Sequence, residues 1–220
     1  QRQMCIRDRC QTPYNLTFAD IGSEMTKAGV TWSYYQYNWN DALDCNGVYN
    51  WSAQYVNSQV HGSGFSGGYD GFWSGEAEFT AVQQNQQECF NLQNYNDLQK
   101  AITGNYLPDV SWIIPAPSVS EHPQQSSWLQ GEQYTSGIIN SIENSAMWKN
   151  TVIFLTWDDN GGYYDNVVPT QIDQYGMGIR VPLIAISPYS RQGQIVNGPN
   201  YNYASGSFSG TTNQEDFSSF

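Results

Sequence analysis

The 220-residue chain has little positive charge and almost no histidine. Eight Lys and Arg stand against twenty Asp and Glu, a formal net charge of −12, and the two histidines are His61 and His122. Without a cationic stripe to neutralise a phosphate backbone, nucleic acid is not an expected partner. An anionic membrane surface would likewise find no polybasic segment to attract. No apolar run approaches the roughly 20 residues that a bilayer-spanning helix needs, so stable membrane insertion is not expected either. Charged residues make up only 13 % of the chain, and Asn, Gln, Ser, Gly and Tyr fill much of the rest. A surface kept in solution by so few titrating groups suits a secreted, extracellular protein.

Cysteine is also scarce, at four. Cys45 and Cys89 flank a loop-rich region and could pair, leaving Cys10 over, which would fit secretion; buried free thiols fit the sequence equally well. Asn15-Leu-Thr17 and Asn50-Trp-Ser52 are glycosylation sequons, a pattern that chance often produces. No internal repeat is present, and the length suits one sizeable core. Nothing in the sequence sets an oligomeric state.

What is there reads as alternating helices and strands. Thr17 is positioned to cap a helix running to about Ala28, with Ile21, Met25 and Ala28 on one face and Gly29 as its stop. Thr31 to Tyr37 reads as a strand. Residues 38–96 show little periodicity and read as an irregular excursion. Asp97 to Thr103 is a short helix ending at Gly104, and Val110 to Ile114 is a strand ended by Pro115 and Pro117. Ser127 or Gly131 opens the clearest helix, with Tyr134, Ile138, Ile139, Ile142 and Met147 at helical spacing. Strands follow at 151–157 and 181–187. Strand, helix, strand in that order predicts an α/β fold with a largely parallel sheet and helices on both faces.

The run from Val152 to Trp157 reads as a strand buried on both faces. It stops at Asp158 and Asp159, followed by Asn160, Gly161 and Gly162. Two carboxylates just past the end of a buried strand need compensation by a cation or a proton. In open α/β sheets the crevice outside those strand ends is where ligands bind, and the glycines permit a sharp turn with close backbone approach. A solvated Asp-Asn-Gly turn is the plainer reading of the same residues.

Four segments resemble one family in the same order. Trp148-Lys149-Asn150-Thr151 leading to Asp158-Asp159-x-Gly161-Gly162-x-x-Asp165 is similar to the central signature of the bacterial and archaeal phosphoesterases. Leu107-Pro108-Asp109-Val110-Ser111-Trp112 with Ser120-Glu121-His122-Pro123, Arg180-Val181-Pro182 through Ser187-Pro188, and Ile21-Gly22 with Ala28 to Tyr35 resemble further parts of it. That family includes non-haemolytic phospholipases C and acid phosphatases. The resemblance covers most of residues 17–190 and implies an incomplete domain of alkaline-phosphatase-like fold. It also marks the chain as a fragment. Residues 1–9, with QMCIRDR at 3–9, look like translated sequencing adapter; setting them aside removes three arginines and one aspartate and takes the charge to −14. Residues 215–220 resemble the start of a late family helix, cut off. Residues 10–220 are then a partial phosphoesterase domain with its excursion at about 38–96, and the family nucleophile would lie upstream, leaving the fragment inactive.

The resemblance further implies metal-dependent hydrolysis of a phosphate monoester or phospholipid. Asp158 and Asp159 would hold a divalent metal ion, since hard cations take oxygen ligands. His122, extended before Pro123, would act as ligand or proton donor; a structural histidine is an equal reading. Asn166 stands where many family members have histidine, and can donate to phosphate without shuttling a proton. Arg180 can fork onto phosphate or onto a carboxylate. The family's paired histidines are missing from Phe79 to Phe90, FTAVQQNQQECF. A different reading is a non-catalytic extracellular binding protein, with Trp32, Tyr34, Tyr35, Tyr37 and Trp39 stacking on a glycan.

Overall fold

A computed structural model of the chain describes residues 16–37, 75–169, 171, 174, 176–193, 200–202 and 207–209. Cys5, Cys10, Cys45, Trp39, His61, both sequon asparagines and the last eleven residues lie outside them. The chain divides into two compact units, 1–148 and 149–220, each described by itself.

The first unit is built on a three-stranded parallel sheet of order β2-β1-β3, where β1 is Trp32–Gln36, β2 is Leu92–Asn94 and β3 is Val110–Ile113. Its register is pinned at one end by a reciprocal pair. Asp109 Oδ2 accepts from the Thr31 N–H at 2.9 Å and the Thr31 hydroxyl at 2.7 Å, while that hydroxyl oxygen accepts from the Asp109 N–H at 2.9 Å. Those bonds hold the Asp109 carboxyl below its ordinary range. Trp32 then faces Val110, and Tyr34 lies between Leu92 and Trp112.

Because side chains alternate along a strand, these five residues share one face. They form the core with Ala77, Val82, Cys89, Met25 and Phe79. That face is covered by helix α1 (Ile21–Ala28), a 3₁₀ turn at Glu76–Glu78, and the short helices α2 (Thr80–Gln84) and α3 (Gln86–Cys89). Tyr35 points the other way, towards Asp97 and Tyr106, where helix α4 (Tyr95–Gly104) buries Leu98, Ala101 and Ile102. Helix α5 (Trp128–Glu143) buries Ile138 and Ile142. Helices therefore lie on both faces of a parallel sheet, an α/β architecture as expected.

Local chemistry sets the boundaries. Helix α1 begins at Asp20 rather than Thr17, because the Asp20 carboxylate accepts from the Ser23 N–H at 2.6 Å and the Ser23 hydroxyl at 2.7 Å. Its fully buried residues are Gly22 and Ser23; of the expected apolar face Met25 packs on the core, while Ile21 and Ala28 are exposed. Gly22 permits this approach: a Cβ there would meet Trp32 Cζ2 at 2.6 Å. Gly29 ends the helix in the left-handed region at φ 75°. Cys89 is disulfide-bonded; every other cysteine lies outside the described residues.

In the second unit, β4 (Ile153–Thr156) and β5 (Leu183–Ile186) pair antiparallel, and β6 (Asn200–Asn202) pairs antiparallel with β7 (Ser207–Ser209). The expected burial of β4 on both faces is not found: half-buried and exposed residues alternate, and Phe154 is half exposed. A parallel β4–β5 pair would need a crossover of a dozen or more residues, usually helical. Among the described residues between them no helix occurs, and β4 has one strand neighbour.

Candidate active site

Strand β4 delivers the chain to a tight turn that carries the two adjacent aspartates. Asp158 Oδ1 accepts from the Asp159 N–H at 3.0 Å, and Asp159 Oδ1 accepts from the Gly161 N–H at 2.6 Å. Asn160 closes the turn, its side-chain amide donating to the Tyr163 carbonyl at 2.7 Å while its own carbonyl accepts from the Tyr163 N–H at 3.1 Å. Gly161 and Gly162 adopt φ 63° and 77°, the left-handed conformation that favours glycine. Asp158 is exposed and Asp159 half-buried.

The turn thus orients both carboxylates through Oδ1 and leaves each Oδ2 without a hydrogen bond among the described residues. Two such oxygens suit a hard divalent cation as part of its ligand set. Among the described residues no three His, Cys, Asp or Glu side chains gather into a metal-binding group. The pair fits such an ion as two ligands, not as a complete site.

Beyond the turn, Asp165 and Arg180 are brought together. The guanidinium forks onto the carboxylate, Nε to Oδ2 and Nη2 to Oδ1, both at 2.9 Å. Asp165 Oδ1 also accepts from the Val167 N–H at 2.9 Å. The Arg180 hydrogen bond, then the Val167 N–H, hold the Asp165 carboxyl down at about 2. Asn166, next along, is exposed. Asp165 as the partner of Arg180 is the feature that the sequence reading missed. Its signal is that Arg180 is the sole arginine between residues 10 and 190, in a segment rich in carboxylates.

His122 belongs to the first unit, in the loop between β3 and α5. Glu121 and Gln124 there adopt φ 65° and 71°. The Glu121 N–H donates to the Ser126 hydroxyl at 2.7 Å and the His122 N–H to the Ser120 hydroxyl at 3.2 Å. His122 Nδ1 lies 2.8 Å from the Pro123 carbonyl. A carbonyl only accepts, so Nδ1 carries the proton, and in a neutral ring the lone pair is on Nε2. The loop ends in a capping box between Ser127 and Gln130 that starts α5, a two-way closure of free helix-start donors. The Phe79 to Phe90 segment, which lacks the family's histidines, forms α2 and α3 and places Val82 and Cys89 in the core.

A model of the phosphoesterase family matches residues 7–212. The chain belongs to the phosphoesterase family. Among curated relatives, the non-hemolytic phospholipase C of Pseudomonas aeruginosa is 31 % identical over 130 residues, covering 44 % of this chain and 19 % of that protein. Phospholipase C A of Mycobacterium tuberculosis is 27 % identical over 195 residues, covering 74 % and 33 %. Non-specific phospholipase C4 of Arabidopsis thaliana is 25 % identical over 134 residues, covering 52 % and 24 %. The matched part of the chain spans between a fifth and a third of the length of these phosphoesterase relatives.

Proposed function

We propose that the complete gene product hydrolyses phosphate esters in a metal-dependent reaction, as a phospholipase C-like enzyme or an acid phosphatase. The observation that carries this reading is the family match over residues 7–212, within which the paired carboxylates stand immediately after β4. Asp158 and Asp159 would hold a divalent cation through the two Oδ2 atoms. Such an ion, when bound, polarises phosphoryl oxygens and lowers the pKa of a nucleophile or water.

The remaining roles belong to the protein's own groups. His122, with its proton held at Nδ1, presents Nε2 to accept a proton or, once charged, to return one to a leaving group. Asn166 offers an amide N–H to a phosphate oxygen without shuttling protons. Arg180 adds a fixed positive charge, already oriented by Asp165. No nucleophile is assigned among these 220 residues. Secretion is part of the reading, and the Cys89 disulfide supports it, since disulfides persist in oxidising compartments.

Turnover of p-nitrophenyl phosphate and of phosphatidylcholine by the complete gene product, with and without chelator, tests the proposal and separates the two substrate classes. Chelator-sensitive release from either is expected; no metal-sensitive turnover of any phosphoester defeats the enzyme reading. Of the aromatic residues in the glycan-binding alternative, Trp32 and Tyr35 are each only 2 % exposed, Tyr37 is exposed, and Trp39 lies outside the described residues.

A further inference from the structure

Three carboxylates are buried in one region of the first unit, remote in sequence from the groups assigned above. Asp20, Glu76 and Glu88 are 3 %, 8 % and 6 % exposed. Two are accounted for by hydrogen bonds. Asp20 caps α1 through Ser23. Glu88 Oε2 accepts from the Thr26 hydroxyl at 2.9 Å, whose oxygen accepts from the Trp32 indole N–H at 2.9 Å. Glu76 is different: its Oε2 is buried and has no hydrogen-bond partner among the described residues.

An ionised carboxylate without partners in an apolar surround costs several kcal/mol, and the ordinary resolution is to keep its proton. Every charged neighbour identified for Glu76 pushes the same way. Asp20 at the start of α1 and Glu88 on α3 both repel its negative form. Tyr34 on β1 also faces it, and burial followed by the repulsion of Glu76 raises that phenol to about 12 against the Gly75 backbone bond. Lys27, the nearby cation, is coupled to Glu24, Asp20 and Glu88. Burial first, then Asp20 and Glu88, lift the Glu76 carboxyl to about 7. A cleft of about 550 Å³ lined by Ser23, Lys27, Thr80, Gln84 and Glu88 brings solvent to the edge of the cluster.

We propose that Glu76 is a proton-operated latch: as a neutral acid it lets the 75–90 segment pack on the sheet, and losing its proton loosens that segment. The segment suits such a device. It carries the 3₁₀ turn, α2 and α3, and it supplies Ala77, Val82 and Cys89 to the core over β1. Among the described residues its backbone meets the rest of the unit at an isolated bridge between Leu16 and Phe79, and Glu88 ties it to α1 through Thr26.

The direction follows from linkage. A carboxyl whose folded value is raised from 4.5 to about 7 favours the packed state fully below 4.5. That advantage is lost as pH rises towards 7 and changes no further above it. Native-state hydrogen exchange of the full chain reads this directly, after correction for intrinsic exchange. The opening constant of amides in 76–90 is expected to rise about tenfold per pH unit between about pH 5 and 7 and then level off. In Glu76→Gln, which keeps the shape of the neutral acid, it should stay flat across that range. Glu88→Gln should retain the rise but end it at lower pH. Equal slopes in the wild type and Glu76→Gln overturn the latch. If Glu76→Gln does not fold, the infrared carbonyl band of a protonated carboxyl decides: its presence at pH 6 in the wild type upholds the proposal, and its absence ends it.

Discussion

Asp165 engages both of its carboxylate oxygens, receiving the Arg180 fork and the Val167 N–H together. Its folded value near 2 lies below the ordinary 3.8, so the stabilisation it contributes is present above about pH 4. It is lost as pH falls through about 2. Asp165→Asn is therefore expected to lower the melting temperature at pH 7 while the two proteins converge near pH 2, as a pH series of thermal melts would show. A constant difference at all pH values would mean that the pair is not the source. Near His122 the sensitive position is Gly131, buried at the start of α5, where a Cβ would collide with the Glu121 side chain. Gly131→Ala should cost about 1–3 kcal/mol by overpacking and shift the imidazole resonances of His122, measurable by urea unfolding and by NMR. At this scale the Asp-Asp-Asn-Gly-Gly turn was legible, because glycine and asparagine declare a left-handed turn by themselves. An ion pair for Arg180 was legible too, but Asp165 as its partner was not, since fifteen residues separate the two and no local pattern links them.

Elements follow a similar division. Helix α5 was visible because four of its expected apolar residues recur with the helical period and Ser127-x-x-Gln130 announces its start. The short helices α2 and α3 and the strand β2 were read as irregular. They are three to five residues long and dominated by Gln and Asn, so neither a 3.6 nor a 2.0 period can establish itself. What makes them ordered is tertiary: Val82, Cys89 and Leu92 reach the core across the sheet. Sequence placed Met25 on the packing side of α1 correctly but misplaced Ile21, because Gly22 contributes by having no side chain, and patterns of apolar residues do not register an absence. Two substitutions measure the distinction. Leu98→Ala on α4, a fully buried site, is expected to cost about 2–5 kcal/mol. Ile21→Ala, exposed on α1, should stay within about 0.5 kcal/mol. Chemical denaturation compares them, and a large loss at Ile21 would contradict the observed orientation of the helix.

For the whole molecule the governing quantity is its charge, −12 with a sequence pI near 4.2. Like charges spread over a folded surface repel one another, and salt shortens the range of that repulsion from about 30 Å at 0.01 M to about 8 Å at 0.15 M. Any cation will therefore raise the melting temperature somewhat, so stabilisation by a divalent salt is not in itself a sign of a metal site. The distinction lies in what remains once ionic strength is matched. A site formed only in the folded protein adds RT ln(1 + [L]/Kd), about 2.7 kcal/mol at a hundredfold excess over Kd, and saturates; screening does neither. Asp158 and Asp159 offer two Oδ2 atoms without a hydrogen bond among the described residues, on a turn already fixed by its own hydrogen bonds. The complete gene product should thus show a saturable melting shift with a divalent chloride that sodium chloride of equal ionic strength does not reproduce. Asp158→Asn with Asp159→Asn should abolish the saturable part and leave the screening part intact. If the double variant responds to the divalent ion as the wild type does, the metal is held elsewhere or not at all, and the assignment of this turn fails whatever the enzyme's activity proves to be.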